Sequence, residues 1–448
     1  MDYEQLAADV VAMAQQAGAE ESDAMLQTST EFSVTVRKGE VETLTQSGSK
    51  GLGLRVFVGG RMAFAATSDF DRAVLERLAA HTVALAASAD PRPENGLPDG
   101  PAPAPRPDLQ IYDPTIEALP TVEKIAMAKQ CEAAAFAADP RVTNTEGAGF
   151  GSATGYTVLA NSRGAASGYH SSACSVYCQP LAEANGKKQV DYDYSYARAL
   201  DRLTSPEEVG REAARRVTRK LGARKVATQT APIVFDRRVA ARIWAGLAAA
   251  LSGDMVFKGM SFLKDRIGER IASEAVTLID DGTLVGGAGS APFDGDGLST
   301  RRNVLIDRGV LNMFEYDTAT ARKVGGGVKS TANAQRSYNG APSIGPFNLF
   351  VPAGIASPEE IVAGIPSGFF VTDMMGGGVN PVTGDFSTGA SGLWIENGTL
   401  AYPVEEVTIA STMEALLNGI ERVGSDLIFN SAVVSPTLQI AEMVVSGL

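Results

Sequence analysis

MMGGGVNPVTGDFSTGASG, residues 374–392, places three consecutive glycines at Gly376, Gly377 and Gly378, followed by Asn380 and a second glycine-rich stretch. Ordering three glycines in a row is costly in backbone entropy, so the run points to a close backbone approach, either by another strand or by a bound peptide. Outward from it, glycine turns punctuate short apolar runs at 233–235, 276–279, 304–306, 349–351 and 369–371. That punctuation predicts a mainly antiparallel β region with a helix or two inserted.

The first half has a different texture. Asp2 with Gln5 three residues on resembles a capping box, and Leu6, Val10, Met13, Ala14 and Ala17 follow at helical spacing until Gly18. Phe32, Val34 and Val36 then alternate with polar residues, Lys38 and Gly39 mark a turn, and Leu52, Leu54, Val56 and Val58 alternate up to Gly59 and Gly60, an antiparallel meander. Helices are predicted over about 71–87, 121–138 and 206–220, with short strands near 142, 157–159 and 175–177. Prolines at 91, 93, 98, 101, 103, 105 and 107 predict an extended surface excursion over 91–107. The aperiodic stretch 222–231 marks a boundary, so the expected fold class is α+β: an N-terminal α/β domain over 1–222 and a mainly antiparallel β C-terminal domain over 223–448.

Bulk composition narrows the function. A chain of 448 residues, 44% hydrophobic and 20% charged, supports multiple domains with real cores. The net charge of -13 opposes attraction to phosphate backbones and anionic lipid, so neither nucleic acid nor a membrane is an expected partner. The N-terminus has no basic start, and no apolar stretch approaches the roughly 18–20 residues a membrane span needs; a cytoplasmic location is expected. Cys131, Cys174 and Cys178 are expected to be reduced thiols.

Candidate chemistry is sparse. A zincin needs two histidines one helical turn apart and a glutamate, and the only histidines, His81 and His170, are far apart in sequence. Those histidines have no local support for a serine triad either. GGGVKST (325–331) imitates a phosphate loop but lacks the glycine before its lysine and a preceding apolar strand, so it reads as a loop. Cys174 and Cys178 sit at an i, i+4 spacing in a predicted strand, about 13 Å apart, which suits structural thiols better than a metal site. Asp280, Asp281, Asp294 and Asp296 fit turn chemistry, with half of a calcium loop or a glycosidase pair as the sharper alternatives.

GGGVNPVTGDFSTGASGLWIENGTLAYPVEEVTIA (376–410) resembles the signature of the TldD/PmbA family. TNTEGAGF (143–150), LANSRG (159–164), GERIASEAVTLIDDGTL (268–284), NVLIDRGVL (303–311) and RSYNGAP (336–342) agree with it in order. The resemblance implies a pairing of a TldD-type subunit, which carries HExxxH and a later cysteine as zinc ligands, with a TldE (PmbA) subunit. LSGD (251–254) resembles the end of the metal helix, which puts Trp244, Ala245 and Ala249 where His, Glu and His would stand; SDLIFNSAVVSPTLQI (425–440) resembles the family's end but has no cysteine. The implied role is a non-catalytic subunit with no catalytic or metal residue of its own, the zinc residing in the TldD-type partner. The substrates would be unstructured peptides held between the subunits, with Gly376, Gly377, Gly378 and Asn380 as peptide-binding main chain. The alternatives are a stand-alone homodimeric peptide-binding or scaffold protein and a separate hydrolase.

Overall fold

In the computed structural model, which describes residues 2–99 and 108–447, helix α1 (Tyr3–Gln16) is followed by β1 (Glu21–Arg37), β2 (Glu40–Val58) and β3 (Arg61–Thr67). Helices α2 (Arg72–Ser88), α3 (Thr115–Ala118) and α4 (Thr121–Ala138) precede β4 (Val142–Asn161), β5 (Ala166–Ala184), β6 (Lys187–Val190) and β7 (Asp193–Ala197). Helix α5 (Pro206–Thr218) closes this half, its N-cap Ser205 accepting from the Glu208 amide and Pro206 occupying the first turn. The strands form one antiparallel sheet in the order β3-β2-β1-β4-β5-β6, with β7 also on β5.

The two-residue period of a strand explains the layering. Ala24, Leu26, Phe32, Val34 and Val36 share one face of β1, packed on α1 and α2 at one end and on α4 and α5 at the other. Asp23, Met25 and Gln27 point the opposite way and meet Arg336, Phe293 and Tyr338 of the second half. At the β1–β2 turn both Lys38 (φ 54°) and Gly39 (φ 78°) have positive φ, the hairpin geometry that matches strand twist. Asp2 accepts from the amides of Glu4 and Gln5, but the Gln5 side chain turns to Asp9, so half of the expected capping box forms.

The short strands expected near 142, 157–159 and 175–177 are segments of the long β4 and β5, paired from Val142↔Ala182 to Ala160↔Ala166. Glycines mask the alternation because they make room for aromatic neighbours: a Cβ at Gly149 would lie 2.5 Å from the Tyr177 ring. Of the proline-rich excursion, residues 100–107 lie outside the described residues. The part before them is tied down, with Arg322 donating to the carbonyls of Glu94, Gly96 and Leu97, and Leu97 only 1% exposed.

The second half begins with β8 (Gln229–Phe235), α6 (Arg237–Leu251), α7 (Gly253–Phe257), β9 (Leu278–Asp281), β10 (Arg302–Asp307) and β11 (Val310–Leu311). Next come α8 (Thr318–Val324), β12 (Ala334–Gln335), β13 (Ser343–Ile344), β14 (Leu349–Phe350), α9 (Pro358–Ala363) and the long strands β15 (Ser367–Val379), β16 (Asp385–Glu396) and β17 (Thr399–Thr412). After α10 (Met413–Asn418) the chain adds β18 (Ile420–Val423), β19 (Val433–Val434) and β20 (Leu438–Ser446). The main sheet runs β17-β16-β15-β8-β20-β18, and β17 also pairs with β20, so five of its strands close on themselves. Pairing is antiparallel except for β8–β15 and β14–β19. Phe235, Trp244, Phe369, Phe386 and Trp394 share the core of this region, which α6 completes.

RSYNGAP fastens the two halves together. Arg336 donates to Asp23 at 2.6 Å, while Arg55 reaches Asp23 at 2.5 Å and Asp296 at 2.9 Å, all of them buried. Burial alone would raise the Asp23 pKa, but Arg336 and Arg55 outweigh it and hold the carboxyl below its usual range. Tyr338 lies against Gly51 and Gly53, where a Cβ on Gly53 would sit 1.8 Å from the Tyr338 carbonyl oxygen. Glycine is required at that contact.

Candidate active-site region

Helix α6 is amphipathic. Asp236 caps it by accepting from the Arg238 amide, and Val239, Ile243, Trp244, Leu247 and Leu251 form its buried side. Trp244 is fully buried, and its indole N–H donates to Ser435 Oγ at 3.0 Å. Arg242, Ala245 and Ala249 lie on the exposed side.

The fold brings this helix against the glycine run. Gly246 fits against Val379 so closely that a Cβ would lie 2.7 Å from Val379 Cγ2, and Arg242 donates to the Met374 carbonyl. The three glycines form a bulge, since the β15–β16 register slips between Met375 and Gly378 and φ is 63°, 55° and 127° along Gly376, Gly377 and Gly378. They are not equivalent. A Cβ at Gly377 would meet the Ser387 carbonyl oxygen at 2.0 Å, whereas nothing lies within 4 Å of one at Gly376 or Gly378. Close approach at Gly377 is therefore to the neighbouring strand of the same sheet. Asn380 organises the adjoining turn: its side-chain oxygen accepts from the amides of Val382 and Thr383.

On the other side of α6 a cleft of about 360 Å³ opens between the helix, Tyr192 and Tyr194, and residues 428–435. Arg238 lies over the Tyr192 ring at 4.2 Å and pairs with Asp193 at 3.1 Å. Burial pushes the Asp193 carboxyl up to about 6 against the pull of Arg238 and Arg216. Arg237 and Arg242 also line the cleft, and Ala245 forms part of its wall. These arginines were not singled out in the sequence, although Arg238 and Arg242 stand one helical turn apart on a capped helix; the tyrosines and the 428–435 segment come from distant parts of the chain.

Zinc does not fit the residues present here. The Trp244 indole has no lone pair to offer and already donates to Ser435, and Ala245 and Ala249 present methyl groups. Among the described residues no group of three or more His, Cys, Asp or Glu is placed to hold a metal. The histidines lie elsewhere, His170 beside Tyr112 and Tyr156 at 5.0 and 4.3 Å and His81 on α2. Cys131, Cys174 and Cys178 are buried together in the N-terminal core, and burial pushes the Cys174 thiol up to about 12.

The other motifs are structural. Asp294 accepts from the amides of Asp296, Leu298 and Ala334, and Asp280 from those of Phe347 and Asn348. Gly325, Gly326 and Gly327 follow α8 with φ of 68°, 62° and 83°, so the run ends a helix instead of opening one.

The closed strand ring and the antiparallel N-terminal sheet make this an α+β protein with α6 laid against a glycine bulge. Comparison supplies the family: the chain belongs to the PmbA/TldD metallopeptidase family. Family models for PmbA/TldA metallopeptidase domain 1, central domain and C-terminal domain match residues 22–86, 114–221 and 228–447. Metalloprotease PmbA of Escherichia coli O157:H7 is 35% identical to it over 93% of this chain and 90% of its own length. Among solved structures, a Bacteroides thetaiotaomicron protein crystallised as a candidate modulator of DNA gyrase superposes with a TM-score of 0.92 at 28% identity, covering both chains fully. TldE from Thermococcus kodakarensis shares the fold with a TM-score of 0.86 at 21% identity over 98% of this chain and 99% of its own. Among the described residues no helix is long and apolar enough to cross a membrane.

Proposed function

We propose that this chain is the TldE/PmbA-type subunit of a cytoplasmic two-subunit metallopeptidase, with zinc and the catalytic groups supplied by a TldD-type partner carrying HExxxH. The observation that carries the reading is the state of α6: where the family resemblance puts His, Glu and His, this chain has a core-buried tryptophan and two alanines. Its own contribution is to hold unstructured peptides. The main chain is exposed at Gly376 and half-buried at Gly378, both free of any β-carbon, and the Gly376 carbonyl already accepts from Thr388 Oγ1 at 2.8 Å. An extended peptide adding here as a strand would be held by the remaining main-chain groups, which asks nothing of the peptide's side chains. Gly377 keys the bulge to β16, and Asn380 holds the turn that presents it. A homodimeric scaffold accounts less well for the likeness to PmbA metalloproteases.

The test is co-purification with an HExxxH-bearing homologue, followed by elemental analysis and a peptide-cleavage assay. The pair should hold zinc and cleave, and this chain alone should do neither. About one tightly held zinc per chain in the isolated protein, or cleavage without the partner, would overturn the assignment.

A further inference from the structure

We infer that the cleft between α6 and residues 428–435 is a carboxylate-binding subsite, a deepening that rests on the peptide-holding role proposed above. Charge supplies the first argument. Of the three guanidiniums lining the cleft, Arg238 is neutralised by Asp193, but Arg242 donates only to the Met374 carbonyl, and among the described residues Arg237 has no ion pair or hydrogen bond. Two cations therefore face one cleft uncompensated, on a chain whose net charge is -13. The cleft's lining contains no carboxylate.

The charge excess continues behind the helix. Arg219 is largely buried, and no group accepts from its Nε or Nη2, while the neighbouring Asp236 is taken by Arg216 and by the α6 cap. Among the described residues no carboxylate on that side forms an ion pair with Arg237. A metal cation is repelled by such a site, whereas a planar carboxylate matches the guanidinium fork in two parallel hydrogen bonds.

Shape supplies the second argument. Ile428, Val433, Val434, Tyr192 and Tyr194 give the lining apolar surface beside the arginines, and Asn430, Ser431 and Ser435 add neutral polar groups. About 360 Å³ is room for a small group with an apolar body and an anionic tip, at the small end of ordinary ligand pockets. A peptide's last residue has that form, as does a glutamate or aspartate side chain. The same helix α6 carries the Met374 contact to the glycine bulge, so a carboxylate seated here would anchor one end of a peptide whose backbone runs past Gly376.

The test is calorimetric titration of the purified chain at low ionic strength with N-acetyl-tetraalanine as the free acid, with its C-terminal amide, and with an amidated peptide containing one glutamate. The free acid should bind about tenfold more tightly than the amide, the range expected for charge-assisted hydrogen bonds. Arg237→Gln with Arg242→Gln should erase that preference at an unchanged melting temperature. Arg237→Gln alone, at a side chain that holds nothing in the fold, should remove part of it and serves if the double variant is unstable. A glutamate peptide that binds like the free acid supports the subsite with side chains as the source; one that binds like the amide supports it with the chain terminus as the source. Equal binding of acid and amide, no measurable binding of either at millimolar concentration, or a preference that survives both substitutions would sink the subsite. Partner-dependent cleavage without a carboxylate preference refutes this inference alone, and the preference without partner-dependent cleavage refutes the functional reading alone.

Discussion

Alanine at Gly377 and alanine at Gly376 are displaced by one residue and should differ clearly in effect. Both positions have positive φ, so either alanine carries the left-handed penalty of about 1–2 kcal/mol. At Gly377 the new Cβ also lies 2.0 Å from the Ser387 oxygen and 3.1 Å from its carbonyl carbon. The obstruction is backbone, so only a shift of β15 away from β16 relieves it, which adds about 1–3 kcal/mol by analogy with overpacked cores. At Gly376 nothing lies within 4 Å and no such term arises. A gap of about 2 kcal/mol corresponds to about 4–8 °C for a region of this size. Differential scanning fluorimetry of parent, Gly376→Ala and Gly377→Ala should give that order. Equal melting temperatures, or a lower one for Gly376→Ala, would refute the bulge geometry on which the argument rests. The same pair separates structure from function in the reconstituted enzyme. Gly376→Val should weaken peptide cleavage with the fold intact, and undiminished cleavage would remove Gly376 from the channel, whereas valine at Gly377 would confound the two effects.

Asp23→Ala should lower stability by about 3–5 kcal/mol, because it leaves Arg55 and Arg336 buried together without the carboxylate between them; a urea-midpoint loss under about 1 kcal/mol would show that the interface cluster is not sealed. Asp193 sets a pH effect. Burial raises its folded-state value to about 6 from about 3.9 in the unfolded chain, so the folded state holds the proton more tightly; this group's contribution is fully present below about pH 4 and is lost as pH rises through about 6. Urea midpoints at pH 4.5 and 7 should fall less in Asp193→Asn than in the parent, and an equal or larger fall in the variant would contradict the assignment.

Elements with strong local signals were legible. The helix expected over 121–138 is α4, Thr121–Ala138, and the turn expected at Lys38 and Gly39 joins β1 to β2. The length of β4 and β5 was not, because glycine, serine and threonine on their second face carry no alternating apolar signal. The interface cluster was invisible for another reason: Asp23 and Arg336 are 313 residues apart, and neither has a local partner that betrays its burial. In the candidate site, the glycine run announced itself by composition. That Gly377 is held by Ser387 while Gly376 is open depends on the β16 register, which no single-sequence period encodes. The arginine cleft needs three separate segments to meet, so the sequence of α6 alone showed only its likeness to the family's metal helix at Trp244, Ala245 and Ala249.

The tie between Asp23 and Arg336 has a consequence for the order of synthesis. At roughly 5–20 residues per second, the 313 residues separating them take on the order of 15–60 s to translate, and once α5 ends at Thr218 β1 has its helices but still lacks half of its charge partners. Arg55 can reach Asp23 early, yet Asp296, its second acceptor, arrives nearly as late as Arg336. The strand ring cannot close until residues 438–446 supply β20. A nascent chain stalled between these points would expose a charged, half-sealed sheet face, the kind of surface on which a holding chaperone rather than a folding rate decides the yield.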